Sequence, residues 1–335
     1  MFDWKNKRVF VTGATGLLGS WLTEALVQKA ATVVVLIRDW VPDSLLVSSP
    51  AFEKVIVVRG DLVDIEVVER ILNEYEIDTV FHLGAQTIVQ TATRSPLSSF
   101  ESNIKGTWIL LEACRHVGTV QRIVVASTDK AYGTQPVLPY SEEMPLLAEH
   151  PYDVSKACAD MIAHAYYATY GLPVAVTRCG NIYGGGDLNF NRIIPGTIRS
   201  FLFNERPLIR SDGQYVRDYI YIKDVIDAYI LLAENLHRSD VRGQAFNFST
   251  NNRMKVLEVV EVLQQQMKST LTPDIQNTAK AEIPAQYLSS DKALRVLGWK
   301  ARHGIEEGLQ ETIAWYKTYF SQKTETSSTI CDQED

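Results

Sequence analysis

A glycine-rich turn near the N-terminus constrains the fold of this chain most strongly. Residues 8–12 form an apolar run typical of a buried strand, and Leu18, Leu22 and Leu26 recur at helical spacing after it. Glycines at such a junction permit a tight turn and let the backbone approach a pyrophosphate, which the helix N-terminus also favours. The spacing G-x-x-G-x-x-G differs by one residue from the usual dinucleotide pattern, so tight packing alone would also explain it. The candidate dinucleotide contacts are Gly13, Thr15, Gly16, Leu17, Leu18 and Gly19.

The first half of the chain alternates apolar strands with amphipathic helices. The predicted strands are residues 8–12, 32–37, 55–58, 79–83, 122–127 and 174–178, and the helices lie around 64–74, 103–116 and 153–169. Continuous apolar strands interleaved with helices indicate a parallel sheet covered on both faces. We therefore predict an α/β fold with a doubly wound parallel (Rossmann) sheet.

The pattern changes after residue 180, where a run of three glycines opens an irregular stretch. We predict a dinucleotide-binding domain at 1–180 and a smaller C-terminal substrate lobe, mainly 181–320. Segments near 212–248 would return to the main sheet through strands around 218–222 and 245–248. Residues 321–335 are polar and lack periodicity, which predicts a disordered tail.

Charge and cysteine usage narrow the classes of partner. The chain of 335 residues has a formal net charge of −7, which gives no support for binding nucleic acid or a membrane surface through a basic field. No apolar run is long enough to span a bilayer, and residues 1–5 lack the core of a signal peptide. Cys114, Cys158, Cys179 and Cys331 form neither a C-x-x-C pair nor a cluster with histidines. Reduced thiols, a cytoplasmic location and no metal are the expectation.

A Tyr-x-x-x-Lys pattern supplies the candidate catalytic pair, but it occurs three times, at Tyr152/Lys156, Tyr219/Lys223 and Tyr319/Lys323. The first pair follows Pro151, a favourable helix start, and enters a long helical pattern, so both side chains would share one face. The preceding strand ends in Thr128, at the carboxyl edge where doubly wound sheets bind ligands. A tyrosine and a lysine on the surface of an amphipathic helix remain the plainer alternative.

The chemistry explains why these residue types belong together. Tyrosine has a reference pKa of about 10 and is a poor base at neutral pH. A nearby lysine ammonium, with a positive nicotinamide ring, would favour the tyrosinate and lower that pKa. Thr128 could hydrogen-bond the same substrate oxygen.

Taken together, these motifs resemble those of the extended short-chain dehydrogenase/reductase family that acts on nucleotide sugars. The resemblance covers about residues 5–320 and is carried by Thr12–Gly19, Gly60-Asp61-Leu62, Phe81–Gln86, Tyr152–Lys156 and Arg178–Gly184. It implies that Asp61 and Leu62 lie by the adenine, that Leu83, Gly84, Ala85 and Gln86 lie on the nicotinamide side, and that Asn181 lies by the sugar phosphates. Gly84 stands where the family more often has alanine.

The pair Asp129-Lys130 sharpens the resemblance, because it resembles the CDP-glucose 4,6-dehydratase branch, whereas epimerases usually carry small residues there. The resemblance implies that Tyr152 takes the proton of the sugar 4-hydroxyl while C4 gives hydride to NAD⁺. Lys130 would then remove the C5 proton, Asp129 would protonate the departing water, and hydride would return to C6. The two roles could be exchanged, and a structural ion pair at a strand end is the alternative.

Cofactor choice depends on the residues that follow the second strand. Asp39 fits a ribose 2′-hydroxyl and would repel a 2′-phosphate, which favours NAD, although neighbouring Arg38 could accept that phosphate and favour NADP. By resemblance, the nucleotide diphosphate sugar is contacted by Gln86, Asn181, Arg192, Arg210 and Arg217; arginine suits phosphate oxygens.

The alternatives to a dehydratase are a nucleotide-sugar C4 epimerase and, in another class, a non-catalytic NAD(P)-binding sensor. The resemblance implies a homodimer in which the helices near 103–116 and 152–169 pair with their copies, using apolar positions such as Ile109, Met161 and Ala165. Those positions could equally face the protein's own core.

Overall fold

The structure, a computed structural model, describes residues 2–251, 253–278 and 283–331, with side chains described as far as Lys323. The first half contains β1 (Arg8–Thr12), α1 (Leu17–Gln28), β2 (Thr32–Ile37), α2 (Leu45–Ser48), β3 (Ile56–Arg59), α3 (Ile65–Glu74), β4 (Thr79–His82), α4 (Val89–Arg94), α5 (Pro96–Phe100), α6 (Gly106–Val117), β5 (Arg122–Ala126) and α7 (Pro151–Tyr170). Shorter helical turns lie at Pro50–Lys54, Glu101–Lys105 and Asp129–Tyr132.

The second half contains β6 (Val174–Cys179), β7 (Asn181–Tyr183), α8 (Ile193–Leu202), β8 (Leu208–Ile209), β9 (Val216–Tyr221), α9 (Ile222–Asn235), β10 (Ala245–Phe248), β11 (Arg253–Lys255), α10 (Val256–Met267), β12 (Asp274–Ile275), a helical turn at Ala293–Leu297 and α11 (Ile305–Cys331). Among the described residues, no helix combines the length and apolarity needed to cross a membrane.

The main sheet has the strand order β10-β6-β5-β4-β1-β2-β3 within the described chain, and every pairing in it is parallel. This confirms the predicted doubly wound sheet. The order departs from chain order between β1 and β4, and at that crossover the carboxyl ends of neighbouring strands open a crevice for ligands.

Each central strand is buried on both faces, which is why its sequence is a continuous apolar run. Along β1, Val9 and Val11 belong to one core cluster and Phe10 to the other, because successive side chains point to opposite faces. Helices α1 and α9 cover the first face, and α3, α6 and α7 cover the second.

A second, three-stranded sheet has the order β11-β9-β7. The expectation that both 218–222 and 245–248 return to the main sheet is therefore half wrong: β10 lies beside β6, but β9 pairs with β7. The reason lies at Gly180, where β6 turns into β7. A Cβ there would stand 2.7 Å from the main-chain oxygen of Asp218, so β9 approaches this turn and leaves the main sheet.

The last helix corrects the predicted disordered tail. Helix α11 continues through Ser321 to Cys331, and residues 332–335 lie outside the described part. Phe320 packs against Phe190 and Phe203, and Lys323 forms an ion pair with Asp43 at 2.6 Å. These contacts fix the helix against the rest of the chain as far as Lys323.

Candidate active site

The predicted site residues meet at the carboxyl edge of the main sheet. The glycine turn follows β1, Asp39 follows β2, Asp61 follows β3 and Leu83 follows β4. Thr128 follows β5 and Asn181 follows β6. Because all these strands run in parallel, their carboxyl ends place residues from distant parts of the chain beside one another.

The turn after β1 is built for close backbone approach. Gly13 has φ of +72°, and a Cβ there would lie 2.8 Å from the amide nitrogen of Gly84. Gly16 begins α1 without a side-chain cap, and its amide donates to the oxygen of Gly13 at 3.1 Å. The first amides of α1, from Leu17 to Gly19, have no partner within the helix, which is the arrangement that can bind a pyrophosphate.

A buried histidine holds the loop after β4 against this turn. His82 Nε2 lies 3.0 Å from Thr107 Oγ1, and His82 Nδ1 lies 3.0 Å from Thr12 Oγ1. Thr107 donates its own proton to the oxygen of Asn103, and Thr12 accepts the amides of Leu83 and Gly84. The network therefore assigns the proton to Nε2 of a neutral imidazole. Burial lowers the pKa of His82 to about 3, with a smaller contribution from the charge of Lys156.

The expected adenine side carries the residues that would choose the cofactor. Arg38 Nε donates to Asp39 Oδ2 at 2.8 Å, and both side chains are exposed. Asp61 accepts the amide of Val63, whereas Leu62 packs beneath Gly106. The guanidinium is thus bound by the neighbouring carboxylate.

The catalytic candidates are buried together where β5 ends. Thr128 Oγ1 donates to Asp129 Oδ1 at 3.0 Å and accepts the amide of Lys130, and Thr128 is among the groups that oppose the rise in the pKa of Tyr152. Burial raises the pKa of Asp129, and the charges of Lys130 and Arg217 offset part of that rise. A carboxyl whose pKa is raised by burial is suited to hold a proton and donate it.

Burial dominates the charge environment of Tyr152. It raises the pKa of Tyr152, and the main opposing charge is that of Arg192; the lowering that Lys156 and a bound nicotinamide would cause together stays a prediction. Lys156 donates its Nζ proton to the oxygen of Ala126 at 2.7 Å. Burial also lowers the pKa of Lys156 to about 8.

The other two Tyr-x-x-x-Lys pairs lie elsewhere. Tyr219 is in β9 and Lys223 is in α9, where Lys223 binds Glu311. Lys323 lies over the ring of Tyr319 on α11. Only the first pair lies at the carboxyl edge of the main sheet among the residues described.

Asn103 is a site residue that sequence reasoning missed. Its Oδ1 accepts the amide of Gln86 at 2.7 Å, and its Nδ2 donates to Ser155 Oγ at 2.8 Å. Ser155 in turn donates to the oxygen of Tyr152. Asn103 thereby joins the loop after β4 to the first turn of α7. No local pattern marks an asparagine that acts through contacts 17 and 52 residues away.

A second missed feature fixes α7 against β6. Arg178 forms a bidentate ion pair with Asp160 at 2.8 and 3.0 Å and donates to the hydroxyl of Tyr132, all of them buried. Buried bidentate geometry of this kind restricts orientation as well as distance. The position of α7, which carries Tyr152 and Lys156, is therefore fixed relative to the main sheet.

The expected substrate contacts are divided between two environments. Arg192 is bound to Asp187 at 2.9 Å and lies close enough to Tyr152 for their charges to interact. Arg217 is buried and donates to the oxygen of Val216. Arg210, by contrast, is tied to Asn191 on the more exposed side.

Two other residues predicted to contact the substrate already interact with neighbouring residues of the protein. Asn181 lies in β7 and pairs with Tyr219, and Gln86 uses its Oε1 to accept the amide of Ile88. Within the described ranges, no group of three or more His, Cys, Asp or Glu side chains could hold a metal ion.

Comparison with known proteins identifies the class. Residues 10–312 match the family model described as GDP-mannose 4,6 dehydratase, so the chain belongs to that family. It is 31% identical over 341 residues to the CDP-glucose 4,6-dehydratase of Salmonella typhimurium, covering 94% of this chain and 92% of that protein. It spans only about half (48%) of the length of a trifunctional UDP-glucose 4,6-dehydratase from Arabidopsis thaliana that it also matches at 32% identity.

Solved structures share the fold over nearly the whole chain. The dTDP-glucose 4,6-dehydratase of Bacillus anthracis, in complex with NAD, has a TM-score of 0.83 at 26% identity and covers 93% of this chain and 97% of its own. The UDP-glucose 4-epimerase of Thermotoga maritima, with UDP-glucose, has a TM-score of 0.84 at 27% identity, covering 93% and 99%. The fold alone therefore does not separate dehydratases from epimerases.

Proposed function

We propose that this protein is an NAD-dependent lyase, a nucleotide-sugar 4,6-dehydratase, with CDP-glucose as its preferred substrate. The observation that carries the proposal is the buried Asp129 and adjacent Lys130 beside Tyr152. A C4 epimerase needs to remove and return hydride but does not need to expel water. An acid and a base next to the oxidising tyrosine are the additional groups that elimination requires.

The residues at the carboxyl edge fit an NAD cofactor. Gly13 lets the turn after β1 lie against the backbone of Leu83 and Gly84, and an added Cβ there would push the two segments apart. Asp39 offers carboxylate oxygens to a ribose and holds Arg38, which supports NAD over NADP. Bound NAD would supply a hydride acceptor that later returns the hydride.

The chain's own groups would perform the proton transfers. Tyr152 takes the proton of the sugar 4-hydroxyl, helped by the charge of Arg192, while Thr128 hydrogen-bonds the same oxygen. The resulting ketone acidifies the C5 proton, which Lys130 removes. Asp129 protonates the C6 hydroxyl, so that it leaves as water and the C5–C6 double bond forms. Lys130 would return its proton to C5, and C6 would receive the hydride that C4 had given to a bound NAD, which gives the 4-keto-6-deoxy sugar.

A cleft lined by Ile88, Leu188–Asn191 and Arg199 is the site that we propose for the nucleotide end of the substrate. It has a volume of about 650 Å³ and lies beside the loop that carries Arg192. Arg210 holds Asn191 at its edge. The preference for cytosine rests on the similarity to the Salmonella enzyme.

The experiment is a panel of CDP-, dTDP-, GDP- and UDP-hexoses with NMR analysis of the products. We expect a 4-keto-6-deoxy product, formed fastest from CDP-glucose. A product inverted at C4 that retains its C6 hydroxyl would favour the epimerase, and the absence of any turnover with bound NAD would favour the sensor.

We also propose a cytoplasmic homodimer formed through α6 and α7. Met161 and Ala165 are exposed on α7, as is Trp108 on α6, whereas Ile109 packs against the protein's own core. Cys114, Cys158 and Cys179 are free thiols, as a reducing compartment would keep them. Light scattering of the parent and of Met161→Glu should give a dimer and a monomer; a monomeric parent would contradict the interface.

A further inference from the structure

Lys130 has a hydrogen-bond partner from a distant segment of the chain. Its Nζ donates to Oε1 of Gln286 at 3.3 Å, across 156 residues of sequence. Gln286 is only 1% exposed. Nε2 of this amide has no hydrogen-bond partner among the described residues, so the hydrogen bond that holds the side chain is the one that Oε1 accepts from Lys130.

The backbone around Gln286 is fixed on both sides. The amide of Gln286 donates to the oxygen of Val216 at 3.0 Å, and the amide of Val216 donates to the oxygen of Pro284 at 2.9 Å. On the other side, the amide of Tyr140 donates to the oxygen of Tyr287 at 2.9 Å. Residues 284–288 are thus held by backbone hydrogen bonds between β9 and the loop at Tyr140. The backbone position from which the side chain of Gln286 extends is therefore fixed.

The charges near Lys130 explain why a neutral partner is useful. Asp129 stands beside it in the same turn, and Asp153 faces it from the first turn of α7. Burial raises the pKa of Asp153 to about 6, and the charge of Lys130 opposes that rise. An ion pair with either carboxylate would draw the flexible lysine side chain away from the position in which Gln286 holds it. The amide oxygen of Gln286 holds the same nitrogen without adding a negative charge.

We propose that Gln286 is a positioning residue for the elimination step, holding Lys130 so that its amine meets the C5 proton of the sugar. This inference rests on the proposed dehydratase function. Lys130 takes the C5 proton, the electron pair of that bond forms the C5–C6 double bond, and the C6 hydroxyl leaves as water with a proton from Asp129. Gln286 exchanges no proton and acts only through the position of Lys130.

The test uses two substitutions that remove the hydrogen bond to Lys130 in different ways. Gln286→Met keeps the volume but removes the acceptor, and Gln286→Asn keeps the amide but is one carbon too short to reach Lys130. With a nucleotide sugar that the parent enzyme dehydrates, we expect C4 oxidation within about twofold of the parent rate. Dehydration and deuterium exchange at C5 should fall about tenfold to a hundredfold, because a displacement of about 1 Å has such effects. NADH absorbance should therefore accumulate, which a merely structural defect would not cause.

Gln244→Met is the matched control. Gln244 Oε1 accepts Lys292 Nζ at 2.9 Å in the same kind of pair, but at the amino end of β10, opposite the site. NADH accumulation in Gln244→Met, an equal fall of both steps in the Gln286 variants, or an unchanged dehydration rate would overturn the inference. A parent enzyme that forms no 4-keto-6-deoxy sugar would instead contradict the proposed function, and the parent assay shows this before any variant is compared.

Discussion

Lys156 Nζ donates a hydrogen bond to the main-chain oxygen of Ala126, 2.7 Å away, at the end of β5. This bond ties α7 to the strand that leads into Thr128. Burial lowers the pKa of Lys156 to about 8, so its charge is costly to keep in this position. The charge that most favours the tyrosinate form of Tyr152 comes from Arg192, just before α8. We infer that the pKa of Tyr152 depends on the position of this segment as well as on α7.

Tyr152→Phe should abolish C4 oxidation, because the hydroxyl that takes the 4-OH proton is gone. General-base contributions of this kind are worth about 10² to 10⁴ in rate, and single-turnover NADH absorbance would measure the loss. Tyr166→Phe is the control, since Tyr166 lies on α7 like Tyr152 but its hydroxyl donates to Glu112 on α6 at 3.0 Å. Comparable NADH formation in Tyr152→Phe would contradict the assignment of the base.

Asp129→Asn and Lys130→Ala should each leave a folded enzyme that oxidises C4 but stalls before water is lost. If Lys130 is the base, Lys130→Ala exchanges little solvent deuterium into C5, whereas Asp129→Asn retains exchange and fails to dehydrate. The reverse pattern would exchange the two roles. Product formation at the parent rate in both variants would show that the pair is structural.

Asp39→Ser should narrow the preference for NAD over NADP. The substitution removes the carboxylate that repels a 2′-phosphate and releases Arg38 from its 2.8 Å contact. We expect the NADP dissociation constant to fall by about tenfold, measured by calorimetry, in line with one charged contact of about 1.4 kcal/mol. A parent protein that already binds NADP more tightly would reverse the cofactor assignment.

Gly13→Ala should abolish dinucleotide binding. The control Gly118→Ala separates the effect of backbone strain from that of crowding by the new methyl group. Both glycines have similar positive φ values, +72° and +71°, so alanine is strained at either by about 1 kcal/mol. Only at Gly13 does the new methyl also meet backbone atoms, 2.8 Å from the nitrogen of Gly84; nothing lies within 4 Å at Gly118. Normal NAD affinity in Gly13→Ala, with thermal stability equal to that of Gly118→Ala, would contradict the crowding argument.

Asp218→Asn should change how stability depends on pH. Burial raises the pKa of Asp218 to about 7, although hydrogen bonds from Ser249 and Leu288 oppose it. Between about pH 4 and pH 7 the folded protein then holds a proton that the unfolded chain releases, so this group's contribution to stability falls as pH rises, by up to about 1.4 kcal/mol per unit. The free energy of unfolding of the variant, relative to the parent, should therefore increase across this range in denaturant titrations. A constant difference would show that Asp218 is ionised throughout.

The main sheet could be predicted because each strand carries its own signal. Strands such as β2 are buried on both faces, and a continuous apolar run is enough to place them in a parallel sheet. Strand β9 is also buried along most of its length, but it pairs with β7 beside the turn at Gly180, a contact that no local pattern encodes. The continuation of α11 past Ser321 likewise depends on tertiary contacts of Phe320 and Lys323.

The site was predictable to the extent that motif residues lie where strands end. Tyr152 and Thr128 could be placed together because one follows a helix start and the other a strand end. Asn103 and Gln286 could not, since each acts through hydrogen bonds to residues far along the chain. The raised pKa of Tyr152 was also missed, because burial opposes the effect of nearby cations and is known only once the fold is.

Two tryptophan side chains pack against the loop that follows β7. Trp21 Nε1 donates to the oxygen of Gly185 at 2.8 Å, and a Cβ on Gly185 would run into the ring of Trp315. Trp21 belongs to the first helix after the glycine turn, and Trp315 belongs to the last helix of the chain. The protein therefore carries its own optical probe: any shift of the Gly184–Asp187 loop changes the polarity around both rings and moves their emission, so that ligand-driven rearrangement can be followed without an attached dye.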